Sequence, residues 1–125
     1  MTYLWIALGG AVGSVLRFIS SEWFQSRWPS FPWGTLFVNV FGSLLIGLLA
    51  ALSEAGRLGD SISLRHFLMI GVLGGFTTFS SFSVQTLMLA RSGAALITGL
   101  NVLASVSLCL AAAWLGFVIG GQLIK

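Results

Sequence analysis

Polar and apolar positions in this chain fall into long blocks rather than the short alternation of a soluble surface. Uncharged runs cover 1–16, 28–53, 67–90 and 92–124. A helix needs about 20 apolar residues to cross a hydrocarbon core. The pattern therefore predicts an all-α integral membrane protein, a single transmembrane domain over residues 1–125 with four spanning helices near 3–20, 35–52, 67–90 and 95–123. The first run has no basic flank ahead of it and no convincing cleavage site after it, so it reads as a mature helix rather than a signal peptide.

The third run contains its own interruption. Gly74-Gly75-Phe76-Thr77-Thr78-Phe79-Ser80-Ser81-Phe82-Ser83 combines glycines, hydroxyls and spaced phenylalanines, a poor continuous helix, and predicts a break at 74–78. Broken backbone survives at membrane depth only where protein or a water-filled cavity covers it, and such breaks are where transporters build ion and substrate sites. This segment is the predicted working part of the molecule.

Small residues mark where helices meet. Gly9, Gly10 and Gly13 on the first helix, Ser43 and Gly47 on the second, and Gly116 and Gly120 on the fourth let backbones approach closely. Trp23, Trp28 and Trp33, with Pro29 and Pro32, read as an interfacial connector. Glu54, Arg57, Asp60 and Arg65 form a polar loop before the third run, and Arg91 with Gly93 turns the chain into the fourth.

Nine of 125 residues are charged and 57% are hydrophobic, which leaves almost nothing for a soluble domain. The net charge of +3 comes from helix ends and forms no basic stripe, so nucleic-acid binding is not expected. Arg57, Arg65 and Lys125 fall on one side of the membrane, and Arg17, Arg27 and Arg91 on the other. Three against three leaves the positive-inside rule without purchase. Either weaker cues set the orientation, or the chain inserts both ways and assembles as an antiparallel pair.

The predicted spans hold no Asp, Glu, Lys or His, and no nucleophile, base and orienting group can be assembled, so an enzyme is not expected. Arg17, close to a helix end, reads as a snorkelling anchor. Asn39 is a full amide in mid-membrane, which must find a partner or line a polar path. Asn101, Ser105 and Cys109 recur every four residues and share one helix face, with Thr98 close by; they are either interhelical hydrogen-bonders or a polar track. Phe79 and Phe82 lie one turn apart, as packing or as paired ring edges. Taken together, neutral donors, positive ring edges and no fixed cation in mid-membrane suit the passage of a small anion.

The run 74–83, with Gly34-Thr35-Leu36-Phe37-Val38-Asn39 and Gly13-Ser14-Val15-Leu16-Arg17, resembles the Fluc (CrcB) fluoride channels of microorganisms. The resemblance covers essentially the whole chain. It implies an antiparallel, dual-topology homodimer in the cell (inner or plasma) membrane, with fluoride pores and a structural sodium ion, Na+, on the twofold axis. Sodium would be held by backbone carbonyls of Gly74 and Thr77. The fluoride pore would be lined by Asn39, Phe79, Ser81, Phe82, Asn101, Ser105 and Cys109, with Arg17 in the vestibule. Relatives can carry tyrosine at the position of Asn101, serine at that of Cys109 and glutamate at that of Gln85. Because the sodium ligands are backbone, Gly74→Ala and Gly75→Val are expected to damage the site more than side-chain changes at Thr77.

The implied function is a passive, fluoride-selective channel that relieves fluoride toxicity. A small multidrug exporter is the main alternative, and a noncatalytic membrane scaffold another. Exporters of that kind depend on a glutamate embedded in the first helix, and residues 1–17 contain no acidic residue.

Overall fold

The computed structural model describes residues 1–58 and 62–125; Asp60 of the predicted polar loop lies outside them. Helices Thr2–Arg27, Trp33–Glu54 and Ala95–Leu123, with a bent third span Ile62–Arg91, are each long and apolar enough to cross a membrane. No strand occurs among the described residues.

The first helix continues to Arg27 rather than stopping near residue 20, so Trp23 lies on the helix and the connector shrinks to 28–32. No breaker interrupts 20–27. The helix ends where Trp28 precedes Pro29, whose ring disfavours α geometry in the residue before it, and Trp28 takes φ −134°, ψ 76°. Gly56 (φ 69°) and Gly93 (φ 81°) close the next two turns in the left-handed region. Each is followed by an N–H that reaches back five residues, Arg57 to the Leu52 carbonyl at 2.8 Å and Ala94 to that of Leu89 at 3.2 Å, the glycine-dependent helix stop.

Helices in lipid gain little from hydrophobic exclusion, so they are held by close packing. Two backbone seams supply it here. A Cβ on Gly9 or Gly13 would strike the carbonyls of Phe67 and Val72, so the first span and the leading half of the third meet at main-chain distance. A Cβ on Gly47 would strike the Ala113 carbonyl, and one on Gly116 the Leu44 carbonyl, a reciprocal seam between the second and fourth spans. Large apolar side chains such as Phe18, Leu103, Leu110 and Trp114 point outward, an arrangement that suits a lipid environment rather than water. Arg57 Nη2 reaches the Ile124 carbonyl at 3.5 Å, which puts the loop after the second span beside the end of the fourth.

The third span is unlike the others. It begins as α-helix over Ile62–Arg65, widens to a π-helix over His66–Leu73, returns to α for Gly74–Phe76, loses helical geometry at Thr77 and Thr78, and resumes over Phe79–Arg91. Nothing in the residue pattern predicts the π segment. Long π stretches are rare and concentrate at functional sites, and this one leads directly into the break.

Candidate functional site

The break is two residues long, not five. Gly74 keeps α geometry (φ −63°, ψ −36°), whereas Thr77 (φ −80°, ψ 154°) and Thr78 (φ −150°, ψ 112°) are extended. Glycine permits a break without imposing one; here β-branched threonines and their hydrogen bonds set it. Thr77 donates to the Leu73 carbonyl from its N–H and from its hydroxyl, both at 3.0 Å, closing the leading half. The Thr78 hydroxyl accepts the Ser81 N–H at 3.1 Å, the usual N-cap bond, and opens the trailing half. Gly42 of the second span leaves room for the Thr77 methyl, which a Cβ there would strike.

Asn39 spans the gap. Thr78 donates its N–H to Asn39 Oδ1 at 2.7 Å, and Asn39 Nδ2 donates to the Thr78 carbonyl at 2.9 Å. The amide therefore satisfies both main-chain groups that the break would strand in an apolar setting. One consequence falls on two other residues. In an unbroken helix Thr78 N–H would serve the Gly74 carbonyl, and Ser81 N–H that of Thr77. Both donors are turned instead to the Asn39 amide and the Thr78 hydroxyl, which leaves the Gly74 and Thr77 carbonyls without their helical partners.

A hollow of about 510 Å³ opens on one side of the break and another of about 520 Å³ on the other. Asn39, Thr77, Phe79, Phe82, Ser105 and Cys109 border the first, with the Gly74 backbone, and Ser43 beside Cys109. No carboxylate, lysine, arginine or histidine among the described residues borders it. Ser105 is buried, at 8% exposure. Phe79 and Phe82 lie 5.2 Å apart between ring centroids at 50°, but their settings differ: Phe79 is 76% exposed and Phe82 only 9%. Arg17, Glu22, Gln25, Ser81 and Gln85 border the second hollow, where Gln25 Oε1 and Gln85 Oε1 are buried acceptors without a donor. Thr78 borders both hollows. Asn101, expected on the same track as Ser105 and Cys109, borders neither.

The family model for "CrcB-like protein, Camphor Resistance (CrcB)" matches residues 4–117 of this chain. The chain belongs to the CrcB family. Its relatives include a protein of Opitutus terrae, 56% identical over 118 residues, which cover 93% of this chain and 89% of the relative. Another, from Rhodospirillum rubrum, is 50% identical over 127 residues, covering 100% and 98%. One from Thermus thermophilus is 50% identical over 123 residues, covering 98% and 95%. Each bears the name fluoride-specific ion channel FluC.

Several residues that shape the break and its hollows in this CrcB-family chain do not stand out in the sequence. Thr78 is visible in the sequence only as part of the motif, although a threonine just before an apolar helical run is itself an N-cap signal. Ser43 reads in the sequence as a packing position only. Thr86 carried no signal, because its partner, Asn101, comes from another span.

Proposed function

We propose that this CrcB-family chain is a fluoride-selective passive channel of the cell membrane, a multi-pass protein and not an enzyme, that lets accumulated fluoride leave the cytoplasm. Fluoride crosses membranes as its neutral acid and is trapped inside as the anion, so a conductive path driven by membrane potential is sufficient. The observation that carries the reading is the pair of hollows meeting at Thr78, one holding Arg17 and the other bordered by neutral donors.

Fluoride is small and strongly hydrated, so a path through the membrane must replace its water with other donors. The first hollow offers the Ser105 hydroxyl, the Ser43 hydroxyl, the Cys109 thiol and the positive edge of the Phe82 ring. Asn39 adds the second hydrogen of its NH2, since only one is used on the Thr78 carbonyl. None of these carries a full positive charge, so the ion is solvated without being trapped. On the other side Arg17 attracts the anion into the vestibule, and Ser81 stands between that hollow and the break.

The functional unit is an antiparallel homodimer. Basic residues divide three and three, Arg57, Arg65 and Lys125 against Arg17, Arg27 and Arg91, which allows insertion in both orientations. The exposed Phe79 ring beside an open hollow fits a surface that a second copy covers. A twofold axis near the break brings together the freed Gly74 and Thr77 carbonyls of both copies, a neutral set of hard oxygen donors that fits sodium. Sodium held there would tie the two breaks together. These residues would hold it through backbone carbonyls alone, since Gly74 has no side chain and the Thr77 hydroxyl is bonded to the Leu73 carbonyl.

The exporter alternative is not favoured. Glu22 does lie on the first helix, but close to its end at Arg27 and beside Arg17 in the second hollow, not at mid-span. The test is efflux from reconstituted liposomes: fluoride leaves and chloride is retained. Absence of fluoride efflux, or equal chloride efflux, overturns the reading.

A further inference from the structure

Asn101 shares a helix face with Ser105 and Cys109, yet it is withdrawn from both hollows and only 2% exposed. Its Nδ2 donates to Thr86 Oγ1 at 2.9 Å, and the same hydroxyl donates to the Phe82 carbonyl at 2.7 Å. Chemistry fixes the direction of this relay. A carbonyl only accepts, so the Thr86 hydrogen goes to Phe82 and only its lone pairs face the fourth span; the group that meets them must be the Asn101 NH2.

A threonine bonded to the carbonyl one turn earlier is common in membrane helices and by itself means little. Three further facts give this one a role. The hydroxyl also receives an amide from a different span, that amide is buried, and the carbonyl belongs to the residue whose ring borders the first hollow. The trailing half, Phe79–Arg91, is also disconnected from the leading half by the extended Thr77 and Thr78, so helix continuity does not orient it. Its attachments are local. Asn39 of the second span holds the residue before its first turn, and Asn101 of the fourth holds Thr86 two turns on.

We propose that Asn101 and Thr86 are positioning residues that set the Phe82 ring in the ion path, and that Asn101 does not itself contact the ion. The proposal rests on the fluoride-channel reading and specifies what this asparagine does within it. Asn39 and Asn101 act as two clamps on the segment that carries Phe79 and Phe82, one at each side of the ring pair.

The test is a double-mutant cycle in reconstituted vesicles. Thr86→Val keeps the shape but removes both ends of the relay, and is expected to lower initial fluoride efflux by at least about tenfold, the scale on which a misplaced group acts. Thr86→Ser retains the hydroxyl and should stay within about twofold of the parent. Asn101→Leu should lower efflux, and Thr86→Val/Asn101→Leu should be no slower than the slower single variant, because both changes break one relay. A full multiplicative loss in the double variant would mean that Asn101 acts on the ion independently of Thr86, and would overturn the proposal. The double variant also covers the case in which a single change unfolds the protein, since replacing both partners by apolar groups leaves no buried group unpaired. A readout independent of flux is the 19F resonance of 4-fluorophenylalanine placed at Phe82. It should shift or broaden in Thr86→Val and not in Thr86→Ser, and an unchanged resonance in Thr86→Val would overturn the proposal. If the parent protein itself shows no fluoride efflux, the channel reading fails; the resonance still reports whether the relay holds the ring.

Discussion

Single residues at the break do more than their chemistry alone announces. Asn39 is the clearest case, because one amide satisfies the N–H and the carbonyl of Thr78 and still has a hydrogen to offer. Asn39→Leu keeps the volume but leaves two buried main-chain groups unpaired, at a cost of about 1–3 kcal/mol each. The variant should melt well below the parent in detergent and lose fluoride efflux. Asn39→Asp is a second probe: a carboxyl buried there is neutral rather than charged, accepts the Thr78 N–H and donates its O–H to the carbonyl, so it should melt closer to the parent than the leucine variant does. Equal melting of all three would show that the amide does not brace the break.

At the scale of elements, glycine spacing sets which spans meet, and two neighbouring glycines have different surroundings. Gly74 is α-helical, and a Cβ on it would come no closer than 3.9 Å to anything, the Met69 carbonyl. Gly75 faces the first span, where a Cβ would lie 2.7 Å from the Gly10 carbonyl and 3.2 Å from Ser14 N. Gly74→Ala should therefore fold as the parent does, whereas Gly75→Val should lose about 1–3 kcal/mol or fail to fold, as overpacked sites do. Size-exclusion profiles and melting in detergent distinguish the two. Equal tolerance of both changes would mean that the seam between the first span and the leading half is not as tight as described.

At the scale of the whole molecule, the basic residues divide three against three between the two sides of the membrane. Two lysines added between Ser53 and His66 should force one orientation and reduce activity when that form is expressed alone, read by cysteine accessibility from each side of the membrane. A single orientation in the unmodified protein would rule out the antiparallel pair. Replacing all sodium with a bulky organic cation should slow or abolish fluoride efflux while the individual chains stay folded. Undiminished efflux after exhaustive exchange would remove sodium from the assembly.

Much of this was legible in the residues because the bilayer is a demanding solvent. Four apolar blocks dictate four spans, the small-residue positions 9, 13, 47 and 116 mark the seams, and glycine before a reversal marks the turns. These are local rules, and a local pattern carries them. The motif at 74–83 located the break for the same reason, since glycines and hydroxyls in an apolar run are a departure that needs no partner to be visible. Its length and bonding were decided elsewhere. Whether the chain leaves α geometry at Gly74 or at Thr77 depends on the Asn39 amide, which is 39 residues from Thr78 and arrives only through packing of the second span. The withdrawal of Asn101 from its own polar face depends likewise on Thr86 from another helix. Sequence determines which groups must find partners in lipid; which partner each one finds is a property of the tertiary arrangement, because the competing donors lie on different spans and only folding brings them within reach.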